Sequence, residues 1–145
     1  MLFNYIEKHG EPLYDLINSN VKENRKVFFV HGGTEVEDRE EVRLLTEQEN
    51  NAIIVASYGT FSTGINIKRL HNIVFASPSK SRIRNLQSIG RVLRRGEGKT
   101  IATLYDIADD IGGQNYTIKH LNERVNIYNG ENFKYEVIKI NLKAN

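Results

Sequence analysis

Strand, turn and helix signals follow one another in the stretch Lys26-Val27-Phe28-Phe29-Val30-His31-Gly32-Gly33-Thr34 of this 145-residue chain. The continuous apolar run predicts a strand that is buried on both faces, and the two glycines after it predict a turn. Thr34, with Glu37 three residues later, has the spacing of a capping box, so we expect a helix to begin there. A buried strand that passes through a short turn into a helix is typical of α/β proteins.

The same alternation of strand and helix signals continues on both sides of this stretch. Strands are predicted at residues 1–6, 26–31, 51–56, 71–77, 100–106 and 133–142. Helices are predicted after Pro12, after Thr34, from Ser79 or Ser81 to about Arg95, and around residues 118–128. The predicted fold is therefore α/β with three layers, a mostly parallel sheet that carries helices on both faces. We predict a core domain over residues 1–111, and a C-terminal helix and strand over residues 112–145 that pack on the same domain.

The composition is that of an ordinary soluble globular domain, with 39% hydrophobic and 26% charged residues. The sequence contains no apolar run long enough to span a membrane and no signal-peptide pattern, so we expect a cytoplasmic location and no membrane partner. Because the chain has no cysteine, disulfides, thiolate chemistry and Cys-based zinc sites are excluded. The four histidines lack the spacing of metal ligands, and we predict no metal site.

The distribution of charge is more informative than its sum, which is only +2. Residues 80–95 carry six basic residues and no acidic one, so one basic face is expected. Within this segment, Gln87, Arg91 and Arg94 fall on one side of a helix, while Gly90 leaves space for a ligand beside them. The planar guanidinium group suits phosphate, because it forms paired charged hydrogen bonds. The alternative is a solvated basic helix face with no ligand.

Two further segments follow predicted strands, at the position where parallel sheets bind ligands. Residues 57–67 are rich in glycine and hydroxyl side chains that can take phosphate oxygens without reading bases, or they are simply a polar loop. The turn at residues 31–34 can hold an anion at the start of its helix, or Thr34 is simply a cap and the glycines a turn. In that helix we expect Val36, Val42 and Leu45 to face the core.

Two other patterns are rejected as phosphate or metal sites. Gly98-Lys99-Thr100 resembles the end of a P-loop, but Leu93 stands where that motif needs glycine, and a strand rather than a helix follows. The carboxylates that follow the strand at 100–106 could suggest a magnesium site, and we interpret them instead as capping or solvated groups: Asp106, Asp109 and Asp110.

Taken in chain order, these motifs resemble the second motor lobe of superfamily-two helicases over residues 1 to about 111. Gln87-x-x-Gly90-Arg91-x-x-Arg94 resembles motif VI of that family, and residues 57–67 resemble motif V. Residues 1–10 resemble motif IV, and His31-Gly32-Gly33-Thr34 resembles the short turn after it.

The resemblance implies a role for each matching residue. Arg94 would be the arginine finger that reaches the ATP phosphates, Arg91 would contact the terminal phosphate, and Gln87 would link nucleotide state to the lobe interface. Three residues would lie near the nucleotide: Gly64, Asn66 and Gly90. Six would lie along the nucleic-acid backbone: Ser57, Thr60, Thr63, Gly32, Gly33 and Thr34.

The resemblance also implies partners and cofactors. ATP and Mg²⁺ would be held mainly by a first RecA-like lobe, and the substrate would be DNA, branched or duplex, or an RNA–DNA hybrid. Many helicases carry Asp where Asn66 stands, whereas Swi/Snf-type remodellers carry Asn, which favours a duplex translocase or a branch- or fork-remodelling motor of recombination and repair. If the chain is phage-encoded, the cytoplasm would be that of the host.

The chain contains neither a P-loop nor an acidic magnesium motif, so we expect it to be inactive alone. Because Met1 falls at the edge of a predicted strand, we interpret the sequence as a piece of a longer protein or one half of a split motor. Two alternatives remain. One is a non-catalytic nucleic-acid-binding or regulatory module with the same fold. The other is a phosphosugar- or nucleotide-binding enzyme, which would need a catalytic set that we do not find.

Overall fold

The computed structural model describes residues 1–3, 6–22, 24–64, 67, 70–77, 101–112 and 116–142, with the backbone alone over residues 62–64. Five parallel strands form one sheet: β1 Leu2–Phe3, β2 Val27–Val30, β3 Ile53–Ser57, β4 Asn72–Phe75 and β5 Thr103–Asp106. Their order in the sheet is β2-β3-β1-β4-β5. A π-helical turn, Ile6–Gly10, leads into α1, and the described residues form these helices: α1 Glu11–Asn20, α2 Val36–Gln48, α3 Tyr58–Gly64 and α4 Tyr116–Gly130.

The strand register aligns one row of residues across the whole sheet. Val30 pairs with Ala56, Ala56 with Leu2, Leu2 with Phe75, and Phe75 with Asp106. On this face a buried cluster around Leu2 and Phe75 also takes in Tyr58 and Tyr128, and three helices pack side chains against it: Val42 from α2, Phe61 from α3 and Val125 from α4. The parallel sheet and the helices on this face agree with the sequence prediction.

The opposite face of the sheet is covered by α1. Side chains alternate between the faces of a strand, so Phe3 and Phe29 lie on the side opposite Leu2 and Val30. Their rings are stacked 5.5 Å apart, and the ring of Tyr14 lies 5.3 Å from that of Phe29. Helices therefore cover both faces, and the three-layer α/β prediction is confirmed. No helix in the described part of the chain is both long and apolar enough to cross a membrane.

The predicted capping box at Thr34 is wrong. Helix α2 begins at Val36, its N-cap residue is Glu35, and no side chain caps it. The Thr34 hydroxyl instead accepts a hydrogen bond from the backbone N–H of His31, 3.0 Å away. It therefore closes the turn before the helix and does not cap the helix. Val36, expected in the core, is 69% exposed, whereas Val42 packs against the core as predicted.

Two other element predictions differ from the structure. Residues 58–64, for which the sequence predicted no helix, form helix α3, which starts directly where β3 ends. Residues 133–142, predicted as a strand, pair with no strand in the described part of the chain. Their apolar side chains are largely exposed, for example Ile140 at 77% and Leu142 at 89%. The hydrophobic pattern identifies a segment that can form a strand, but strand pairing also requires the free edge of a neighbouring strand. The division of the chain at residue 111 stays a prediction.

Candidate nucleic-acid interface

Two of the predicted contact segments lie side by side at one edge of the sheet. All strand pairs are parallel, so the carboxyl ends of the strands meet at the same edge. Val30 and Ala56 are partners in neighbouring strands, and the next residues along the chain are His31 and Ser57. The turn after β2 and the start of helix α3 are therefore neighbours at this edge of the sheet.

The turn at residues 31–34, called the glycine turn below, is closed by three short-range hydrogen bonds. The Thr34 N–H donates to the His31 carbonyl at 3.0 Å, and the His31 N–H donates to Thr34 Oγ1 at the same distance. The Gly33 N–H donates to His31 Nδ1, also at 3.0 Å. Nδ1 is the acceptor in this contact, so the His31 ring holds the Gly33 N–H within the turn.

Gly32 is the residue of the glycine turn with open space around it. It is exposed, and a Cβ atom added there would meet nothing within 4 Å. Among the described residues its N–H has no hydrogen-bond partner, whereas the N–H of Gly33 is committed to His31. Of the three residues predicted to contact nucleic acid here, Gly32 therefore offers the backbone donor that an anion can reach. Thr34 is half-buried, and its hydroxyl retains a proton to donate.

The hydroxyl groups at the start of α3 are partly used within the protein. Ser57 Oγ lies 2.8 Å from Thr60 Oγ1 and accepts a long hydrogen bond, 3.4 Å, from the Thr60 N–H. Thr60 is only 4% exposed, so its side chain faces the interior rather than a ligand. Ser57 remains half-buried at the sheet edge. The side chain of Thr63 lies outside the described residues.

The residues predicted to act on the nucleotide are not placed by the structure. Gly64 is described only as the last residue of α3. The others lie outside the described residues: Asn66, Gln87, Gly90, Arg91 and Arg94. The same holds for the helix predicted to end near Arg95 and for Gly98-Lys99-Thr100.

The last strand ends in a buried polar cluster that the sequence interpretation missed. Asp106, interpreted as a capping or solvated carboxylate, accepts hydrogen bonds from Arg124 Nε at 2.7 Å and Nη2 at 2.9 Å. The Tyr128 hydroxyl donates to the same carboxylate at 2.6 Å. Arg124 is 2% exposed, so solvation is the wrong interpretation for Asp106. Burial, and then the neighbouring Asp106 carboxylate, raises the pKa of Tyr128 well above its ordinary value.

A pattern in the sequence could have revealed this cluster. The apolar stripe of α4 includes Leu121, Val125 and Tyr128, and Arg124 falls on the same helical face. A charged residue within an apolar stripe is almost never buried without a partner, and the partner here is the one acid at the end of β5.

The helicase conserved C-terminal domain family matches residues 3–96, about two thirds of the chain. This chain belongs to that family. The ATP-dependent DNA helicase uvsW of Enterobacteria phage T4 is 40% identical over 155 aligned positions, which cover 98% of this chain and 30% of that protein. The crystal structure of T4 UvsW matches with a TM-score of 0.70 and 39% identity, over 91% of this chain and 28% of that one.

These comparisons confirm the resemblance to the second lobe of a helicase, and the fold that it implied. The chain spans less than a third of the relative's length. Within this helicase C-terminal domain, the family match includes the glycine turn, Ser57 and the segment with Arg91 and Arg94, but ends before Asp106 and α4. The similarity to UvsW extends over the C-terminal helix as well, since it covers nearly the whole chain.

Proposed function

We propose that this chain is the C-terminal motor lobe of an ATP-dependent DNA helicase or translocase, in which it provides nucleic-acid backbone contacts and an arginine finger. The observation that carries the proposal is the pairing of the glycine turn with Ser57 at the carboxyl edge of two adjacent strands. A family member of similar sequence is named an ATP-dependent DNA helicase.

The nucleic-acid contact follows from the kind of groups at this edge. Gly32 is exposed, with open space where a Cβ would lie, and the half-buried Ser57 and Thr34 carry hydroxyl groups at the same edge of the sheet. Backbone amides and hydroxyls bind phosphate oxygens and position a strand, but they carry no sequence information. The lobe would therefore hold the backbone of DNA, whatever its sequence, with Ser57, Thr63 and the glycine turn as contacts.

The nucleotide chemistry is proposed from the sequence. Arg94 would reach the ATP phosphates as the arginine finger, Arg91 would contact the terminal phosphate, and Gln87 would couple nucleotide state to the lobe interface. Gly64, Asn66 and Gly90 would lie near the nucleotide. ATP and Mg²⁺ would be held mainly by a first RecA-like lobe, which agrees with the small share of UvsW that the chain spans.

The substrate that we propose is branched or duplex DNA, with an RNA–DNA hybrid as a further substrate, in fork remodelling during recombination and repair. Two features support it. Asn66 is the residue that duplex translocases of the Swi/Snf type carry at this position. The relative that is 40% identical is a phage DNA helicase.

We expect the isolated chain to hydrolyse no ATP. Phosphoryl transfer requires that phosphates, metal and water are positioned together, and the chain has no P-loop to hold the phosphates. Phosphate release from purified chain, with and without DNA, should equal that of a buffer blank. Turnover that follows the chain through successive purification steps would contradict the proposal.

We expect the isolated chain to bind DNA weakly, without sequence preference, and less tightly as salt rises. Gly32→Asp should weaken binding by roughly tenfold, since it places a carboxylate where phosphate approaches. Gly32→Ala is the matched control, because a Cβ atom there meets no neighbour within 4 Å. The measurement is a titration of labelled mixed-sequence DNA at two salt concentrations. Equal affinity of Gly32→Asp and Gly32→Ala would place the DNA elsewhere, and tight binding to one base sequence would exclude a backbone contact.

A further inference from the structure

Arg39, on the first turns of helix α2, reaches back to the glycine turn. Its Nε donates to the Thr34 carbonyl at 2.7 Å, and its Nη2 donates to the Gly32 carbonyl at 3.0 Å. One guanidinium group therefore joins two carbonyls of the turn to the helix. The backbone N–H of Arg39 donates to the Glu35 carbonyl, so the side chain extends from a regular part of the helix.

The peptide unit between Gly32 and Gly33 is held at both of its polar ends. Its carbonyl accepts from Arg39, and its N–H donates to His31 Nδ1 at 3.0 Å. Two adjacent glycines have more conformational freedom than any other pair of residues, and this freedom is lost when a ligand fixes them. Arg39 and His31 remove it before a ligand binds, which lowers the entropic cost of binding.

We propose that Arg39 is a positioning residue for nucleic-acid binding: it fixes the glycine turn so that the accessible Gly32 N–H is already in place for a phosphate. The inference rests on the proposed function, because it assumes that this turn contacts DNA. Arginine is required here because its planar fork reaches two acceptors at once, whereas a lysine ammonium is a point charge on a flexible stem.

Arg39 can be distinguished from a simple cationic contact by a variant that keeps its charge. Arg39→Lys retains the positive charge but loses the paired hydrogen bonds to the Thr34 and Gly32 carbonyls. Arg43 provides the matched control, because it lies one turn later in the same helix. Its side-chain partners among the described residues are acidic: Glu40 at 2.7 Å and Glu47 at 3.0 Å. Arg43→Lys makes the same chemical change without touching the turn.

The first measurement is backbone order in the free chain, from ¹⁵N relaxation at Gly32 and Gly33. We expect order parameters of about 0.85 in the unchanged chain and in Arg43→Lys, and values below about 0.6 in Arg39→Lys. Order that is unchanged in Arg39→Lys would overturn the proposal. Melting temperatures of all three proteins test for a general loss of structure, and Arg39→Gln serves as a second variant if Arg39→Lys melts early.

The second measurement is affinity for labelled mixed-sequence DNA. Arg39→Lys should bind roughly tenfold more weakly than the unchanged chain, as expected when charged hydrogen bonds are lost, while Arg43→Lys binds like the unchanged chain. If the unchanged chain binds and Arg39→Lys binds equally well, Arg39 acts only through its charge and the inference fails. If the unchanged chain does not bind DNA at all, the proposed function fails, and with it this use of Arg39.

Discussion

Arg94→Ala, in a two-lobed protein that contains this chain, is expected to abolish most ATP turnover and to leave folding and DNA affinity nearly unchanged. In the predicted helix, Arg94 lies roughly opposite Ile89 and Val92, so it is not expected to belong to the core. Its guanidinium would act on charge that develops during phosphoryl transfer, where arginine fingers contribute on the order of 10³–10⁵ in rate. Surface substitutions usually change stability by no more than about 0.5 kcal/mol.

Arg94→Lys should fail as well, because an ammonium group does not reproduce the fork of a guanidinium. Arg95→Ala is the matched control, since it removes the same charge from a position about 100° further around the predicted helix. ATPase rate, melting temperature and DNA affinity are measured for the parent and the three variants. Turnover by Arg94→Ala near the parental rate would make Arg91 the first candidate for the finger. A large fall in melting temperature would instead mean that Arg94 is structural.

The strands could be predicted from the sequence because each is a continuous apolar run that lies between covered faces. Val27–Val30 lies within the predicted strand 26–31, and Ile53–Ser57 overlaps the predicted strand 51–56 but ends one residue later. Both strands are buried or half-buried in the parallel sheet. The ends of the elements were less predictable. The Thr34 hydroxyl could accept a hydrogen bond either from a backbone N–H of the helix after it or from one in the turn before it. The spacing of Thr34 and Glu37 does not distinguish these two hydrogen bonds.

The position of the glycine turn was predictable from the sequence, but the side-chain contacts that fix its conformation were not. Glycines after a buried strand located the turn, because parallel sheets bind ligands at their carboxyl edge. The Arg39 side chain donates hydrogen bonds to backbone carbonyls five and seven residues earlier in the chain. No periodic pattern in the sequence predicts such a contact. The family resemblance implied that Thr60 lies near the nucleic-acid backbone, whereas its side chain is buried at the start of helix α3.

The buried Asp106–Arg124 pair carries the largest stability effect that we expect. Asp106→Asn should lower the free energy of unfolding by about 3–5 kcal/mol, because it leaves the buried Arg124 guanidinium without its counter-charge. The two side chains are only 9% and 2% exposed, so water cannot replace the lost partner. Since the carboxylate also accepts from Tyr128, the same change weakens the contact between the end of β5 and helix α4. Urea denaturation followed by circular dichroism measures the change.

Replacing both partners distinguishes the cost of leaving one buried charge unpaired from the net contribution of the ion pair to stability. Arg124 Nη1 is buried and has no hydrogen-bond partner in the described part of the chain, so the ion pair is stabilising only in part. Asp106→Leu combined with Arg124→Met should therefore be far less destabilised than Asp106→Asn, since no buried charge is left uncompensated. The matched control is the surface pair Glu40–Arg43, in which the Glu40 side chain is 53% exposed, so Glu40→Gln should change stability little because solvent screens the interaction. Equal losses for Asp106→Asn and Glu40→Gln would mean that the Asp106–Arg124 pair does not hold helix α4 to the sheet.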